Sequence, residues 1–193
     1  MRNFALSFLI ATSPIAAAAE MASYELDPEH TTVFFTIEHI GYADTLGIFG
    51  NVQGIFDYDT ETQELANVQV AIDAKSVNTF NKARDGHVKN KDFLHVSEFP
   101  EITFVAESGT AATDNAGTVT GDLTILGVTQ PVTLNVTLNK AEPYPFGHKR
   151  FVLGLSIDAA IKRSDYGMTY AVENGLVGDL VNIKIETEAM RIE

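Results

Sequence analysis

Apolar and polar residues alternate along most of this chain, and that period of two constrains the fold more than any other feature. In TTVFFTIEHI (31–40), Val33, Phe35, Ile37 and His39 fall on one face, and Phe34, Thr36 and Glu38 on the other. NVQGIFDYD (51–59) aligns Val52, Gly54, Phe56 and Tyr58, and ANVQVAIDA (66–74) aligns Val68, Val70 and Ile72. The pattern returns with Ile102 and Phe104, then with Val119, Leu123 and Ile125. It continues through Val132, Leu134, Val136 and Leu138, through Phe151, Leu153, Leu155 and Ile157, and through Val181, Ile183 and Ile185. Alternation of this kind defines half-buried antiparallel strands. About eight are expected.

The segments DTETQ (59–63), TDNAG (113–117) and LGVTQP (126–131) supply turn residues between them. Eight antiparallel strands either stack as two sheets or close into a barrel. Long strands over 30–40 and 46–59 favour the barrel, with Gly50, Gly54 and Gly121 placed for bends. One stretch, 78–100, has no alternation. It predicts a short helix near 81–91, capped by Asn78 or Asn81, with no strongly apolar face. Such a helix covers a surface or an opening.

The N-terminus sets an expectation about compartment. A basic start containing Arg2, an apolar run over 4–19 and Ala17-x-Ala19 match a secretory signal peptide, with the mature domain over 20–193. Its loss would remove one charge, Arg2, from a formal net of −13. An excess of acids this large disfavours nucleic acid and anionic headgroups as partners. A domain of this length buries enough surface to fold without disulfides, and the chain has no Cys.

Chemistry-bearing motifs are sparse. There is no G-x-S-x-G elbow, no phosphate-binding glycine loop and no closely spaced His pair among His30, His39, His87, His95 and His148. His39 continues an apolar face, either as a core histidine bonded to backbone or as a pocket-lining one. Arg163, Ser164 and Asp165 end a strand, where a local Arg–Asp pair is the simpler use. An eight-stranded barrel either fills with side chains or holds one ligand. Phe35, Phe56, Phe93 and Phe104 would serve equally in both.

Taken in order, YELDPEHTTVFFTIEHIGY (24–42), GIFGNVQGIFDYD (47–59), RDGHVKNKDFLHVSEFPEITF (84–104), GDLTILGVTQPVTL (121–134) and IKRSDYGM (161–168) resemble the YceI-like family of exported proteins. The resemblance runs from about Tyr24 to Met190. It implies an all-β fold: an extended eight-stranded antiparallel lipocalin-like β-barrel with one short helix near the mouth. It further implies a periplasmic binding protein for a polyisoprenoid, an isoprenoid quinone or a related amphiphile, with no catalytic residue, no metal and no cofactor beyond the bound lipid. Positions matching the family's apolar lining are Phe35, Ile37, Phe56, Phe104, Leu123, Ile125, Leu134, Leu153 and Leu155. Phe93 and Leu94 would turn inward as a plug. Arg84 and His87 stand as head-group candidates near the helix, with His39 deeper and an Arg84–Asp85 pair as the competing use of Arg84. Two other functions stay open: an enzyme acting on such a lipid, and an interaction module, a homodimer or a partner of a membrane b-type cytochrome.

Overall fold

The computed structural model describes residues 21–192, so the expected signal peptide lies outside the described residues. Among the described residues there are twelve strands: β1 (Ala22–Leu26), β2 (Thr32–His39), β3 (Ala43–Phe49), β4 (Val52–Tyr58), β5 (Leu65–Asp73), β6 (Val77–Asn78), β7 (Glu101–Ser108), β8 (Thr110–Thr113), β9 (Ala116–Ile125), β10 (Val128–Pro143), β11 (Phe151–Lys162) and β12 (Val177–Arg191). One α-helix, α1, spans Lys82–Val88.

These segments make eight staves, because several are halves of one interrupted strand. β1 and β2 both pair with β12, β4 pairs with β1, and β3 pairs with β2. β7 and β8 both pair with β9. Each stave lies beside its sequence neighbour, and the β1–β12 pairing closes the ring. The result is a closed, eight-stranded, antiparallel, up-and-down barrel. Among the described residues closure leaves no long edge strand to template aggregation.

The long strand expected over 30–40 is β2, and the one expected over 46–59 is divided into β3 and β4. Asp27 through Thr31 form a turn ahead of β2, and Gly50-Asn51 separates β3 from β4. The β9–β10 hairpin turns on two residues, Leu126 (φ 53°) and Gly127 (φ 72°). Two consecutive left-handed residues give the turn whose twist matches antiparallel strands. The helix is shorter than 81–91. Asn81 is its cap, and its Oδ1 accepts from the N–H groups of Ala83 and Arg84, each at 3.1 Å. No residue of α1 is buried.

The interior has two regions. Opposite the helix, Tyr24 stacks on Phe56 with ring centroids 5.6 Å apart, and Leu153 and Ala189 are sealed from solvent. That floor is packed. Farther along the axis, inward Leu134, Val136, Leu155, Ile183 and Ile185 are only half-buried. Side chains pointing into the middle of a closed barrel keep exposed surface only when the middle is hollow.

Candidate functional site

The hollow is a cavity of about 580 Å³. It falls within the roughly 300–1,000 Å³ typical of ligand pockets. Inward side chains of β12, from Val177 to Thr187, line it along ten residue steps. At about 3.3 Å per residue and a strand tilt of about 40°, that is a tunnel roughly 25 Å long. It runs from the α1 end, the mouth, to the loops at the other end, where Gln63 Nε2 donates to Asp114 O at 2.8 Å.

The structure brings the sequence-derived candidates to this one cavity. Phe35 and Ile37 of β2, Phe56 of β4, Phe104 of β7, Leu123 and Ile125 of β9, Leu134 of β10 and Leu153 and Leu155 of β11 all line it. Period-two geometry accounts for the convergence, since alternate residues of every stave face inward. Phe93, Leu94, Arg84, His87 and His39 line its mouth. His39 is not deeper than the others. It is the last residue of β2 and is exposed, because the chain turns back at Ile40-Gly41.

Around the mouth the polar groups are organised by two residues that sequence reasoning gave no such role. Thr79, fully buried, donates from both its N–H and its Oγ1 to Asp85 Oδ1, each at 2.6 Å. Arg84 donates from Nε to Thr79 Oγ1 at 2.9 Å and from Nη2 to Thr79 O at 2.6 Å. Arg84 and Asp85 therefore meet at Thr79 rather than forming the expected direct pair. These hydrogen bonds hold the Asp85 carboxyl below its ordinary range.

The second organiser is Arg163. It is 1% exposed and donates to four backbone carbonyls, those of Met168, Tyr170, Val177 and Gly178, at 2.7–2.9 Å. It does not pair with Asp165. Burial lowers its pKa, and the nearby charge of Asp179 opposes that. Asp179 accepts from the N–H and Oγ of Ser164. Arg163 also lies 5.6 Å from the ring centroid of Phe93. Phe93, Tyr170 and His87 form an edge-to-face cluster with centroids 5.1–5.4 Å apart. His87 Nε2 donates to Asp92 Oδ2 at 3.1 Å, which fixes the orientation of the imidazole. Phe93 is thus held at the opening. The IKRSDYGM motif marks the start of this loop, but nothing in the sequence joins Tyr170 to His87.

Away from the cavity, Asp27, His30 and Glu188 offer ligand atoms within 4.8 Å of one another. His30 Nδ1 already donates to Asp27 Oδ2 at 2.7 Å. Glu188 Oε2 lies 3.8 Å from the same nitrogen. Among the described residues no helix is long and apolar enough to cross a membrane.

A closed up-and-down barrel around an apolar tunnel, with one short helix at its mouth, is a lipocalin-like architecture. The YceI-like domain model matches residues 24–189, and the chain belongs to that family. Protein YceI of Salmonella arizonae is 37% identical over 169 residues, spanning 86% of this chain and 85% of the relative. BcnA of Burkholderia cenocepacia superposes with a TM-score of 0.75 at 25% identity, over 86% of this chain and 99% of that one. The Campylobacter jejuni YCEI protein gives a TM-score of 0.73 at 28% identity, over 81% of this chain and 90% of that one. A polyisoprenoid binding domain from Saccharophagus degradans, 17% identical, shares the fold at a TM-score of 0.61 over 90% of this chain and all of that one.

Proposed function

We propose that this protein binds a long-chain amphiphile of the polyisoprenoid class, such as an isoprenoid quinone or prenyl lipid, with its hydrocarbon in the barrel and its polar end at the mouth. The observation that carries the reading is the half-exposed apolar wall of Leu134, Val136, Leu155, Ile183 and Ile185 around a single tunnel. Each methylene moved from water into such a wall gains about 0.8 kcal/mol. A tunnel of roughly 25 Å exceeds the ~15 Å of one bilayer leaflet, half of a ~30 Å hydrocarbon core. It therefore favours chains longer than an ordinary acyl tail. Phe35, Ile37, Phe56, Phe93, Phe104, Leu123, Ile125, Leu134, Leu153 and Leu155 serve as the apolar lining. Arg84, with no ion pair among the described residues, and the donors His87 and His39 receive the head group. A polyisoprenoid-binding relative and the family's exported character support carriage or storage in the periplasm.

The role is binding rather than catalysis. One observation favours a reaction on the head group instead, the His87–Asp92 hydrogen bond at 3.1 Å. Substituting His87→Gln separates the two: a carrier keeps its cargo chemically unchanged, whereas an enzyme accumulates unreacted substrate. The test of the main reading is organic extraction of protein purified from its own source without detergent, followed by mass spectrometry. One prenyl lipid at near-stoichiometric amount supports it. A well-folded sample that yields no lipid overturns it.

A further inference from the structure

The end of the barrel that carries the tunnel mouth also holds a group of apolar side chains in water. Ile40, Tyr170 and Leu176 both wall the cavity and stand exposed at its rim. The N–H of Ile40 donates to Leu176 O at 3.2 Å, so the β2–β3 turn and the approach to β12 form one lip. Beyond this lip Tyr42 is 89% exposed, and Phe80, just before α1, is 66% exposed. The apolar surface is continuous with the interior.

Two of these residues occupy backbone that disfavours them. Ile40 has φ 54° and Phe80 has φ 63°. The left-handed region suits glycine or asparagine, and a β-branched or bulky side chain there is strained. Ile40 and Gly41 (φ 67°) form a left-handed turn of the same kind as Leu126-Gly127, and the N–H of Phe80 donates to Asn78 Oδ1 at 2.8 Å, so both residues sit in local turns that hold their apolar side chains outward.

Charge indicates what this exposed apolar surface meets. Lys82, Arg84, Lys89 and Lys91 lie on α1 and the turn after it, and none makes an ion pair among the described residues. Two acids share this stretch, Asp85 accepting from Thr79 and Asp92 from His87, which leaves four cations against two carboxylates. Glu98, in the loop after α1, lies 3.4 Å from His95, and the other acids at this end, Glu38, Asp44, Asp165, Glu173 and Asp179, lie on the β2–β3 hairpin, on the segment between β11 and β12 and at the start of β12. The side of the mouth next to Phe80 is therefore cationic on an otherwise acidic molecule. Screening over about 8 Å at physiological salt lets this local patch act apart from the net charge.

We propose that the mouth docks on an anionic bilayer surface, with Lys82, Lys89 and Lys91 on the headgroups and Phe80, Tyr42, Ile40 and Leu176 in the interfacial layer. In that pose the tunnel opens toward the hydrocarbon, and an apolar chain passes between bilayer and barrel without crossing water. The purpose of docking rests on reading the cavity as a lipid site, but its occurrence is measured separately.

The experiment sediments the chain beginning at Glu20 with vesicles of phosphatidylglycerol and phosphatidylcholine, and extracts lipid from the same protein samples. Binding should require phosphatidylglycerol and fall as salt rises. Each lysine near such a surface is worth about fivefold. Lys82→Glu with Lys89→Glu and Lys91→Glu should therefore weaken binding at least about a hundredfold, and Phe80→Ser with Tyr42→Ser should weaken it at least about tenfold. None of these five residues lines the tunnel, so melting temperature and extracted lipid should stay unchanged. Absence of binding to phosphatidylglycerol vesicles, or binding that both sets of variants leave unaltered, would overturn the docking proposal. Lipid in the extract without vesicle binding overturns docking alone, and vesicle binding with an empty extract overturns the cargo reading alone.

Discussion

The ring of Phe35 lies directly over Gly47, its register partner on β3, and a Cβ at Gly47 would overlap that ring. A glycine here lets an aromatic side chain lie flat along the barrel wall instead of projecting into the tunnel. Phe35 is in turn 5.5 Å from Phe49, centroid to centroid. Gly47→Ala should push Phe35 inward, costing about 1–3 kcal/mol of stability as an overpacking change. It should also weaken prenyl-lipid binding more than that loss accounts for. Thermal melts and lipid titrations on the same variant separate the two effects.

The packed floor and the hollow middle should respond differently to the same truncation. Leu153 is 1% exposed and touches the floor, so Leu153→Ala should cost about 3 kcal/mol through lost burial and a new cavity. Leu134 faces the tunnel and has fewer neighbours to lose, so Leu134→Ala should cost about 1 kcal/mol. Urea unfolding of both variants tests this. Equal costs would mean that the middle is packed.

Arg163 should act as the fastener of the mouth. Removing it in Arg163→Met leaves four backbone carbonyls without their donor and should cost about 3 kcal/mol or more. The damage should be local before it is global. Hydrogen exchange over 167–177 should accelerate under conditions where β9 and β10 remain protected.

The Asp27–His30 pair gives stability a defined pH window. Its hydrogen bond to Asp27 raises the pKa of His30 above the ordinary 6.5. Burial tends to raise the pKa of Asp27, but the bonds from His30 and the Glu29 N–H outweigh it and hold Asp27 below 3.8. The histidine contribution is fully present below 6.5 and is lost as pH rises through the raised folded value. The aspartate contribution is fully present above 3.8 and is lost as pH falls through the lowered folded value. The pair therefore stabilises most between 3.8 and 6.5. His30→Gln should remove the decline in melting temperature above that window, as calorimetry across pH would show.

These contrasts mark where sequence stops being informative. Alternation places Leu134 and Leu153 on the same inward face, and both line the cavity. It is silent on how many atoms each one meets, because that depends on barrel radius and on which staves carry Tyr24 and Phe56 opposite. His39 was assignable to a face for the same reason. Its depth was not, since that is fixed by where β2 turns at Ile40-Gly41. Arg163 looked like half of a local ion pair because Asp165 is two residues away. Its true partners are carbonyls of a loop that closes only when β12 joins β11. Asn81 was legible as a cap because capping is local chemistry.

The central claim is a hollow barrel sized for a long apolar chain. It is tested most directly by displacing an environment-sensitive hydrophobic dye from the protein with prenyl alcohols of increasing length. Affinity should rise with each added isoprene unit and level off once the extended chain reaches roughly 25 Å, the tunnel length set by strand rise and tilt. A dye that finds no site, or affinities that ignore chain length, would contradict it.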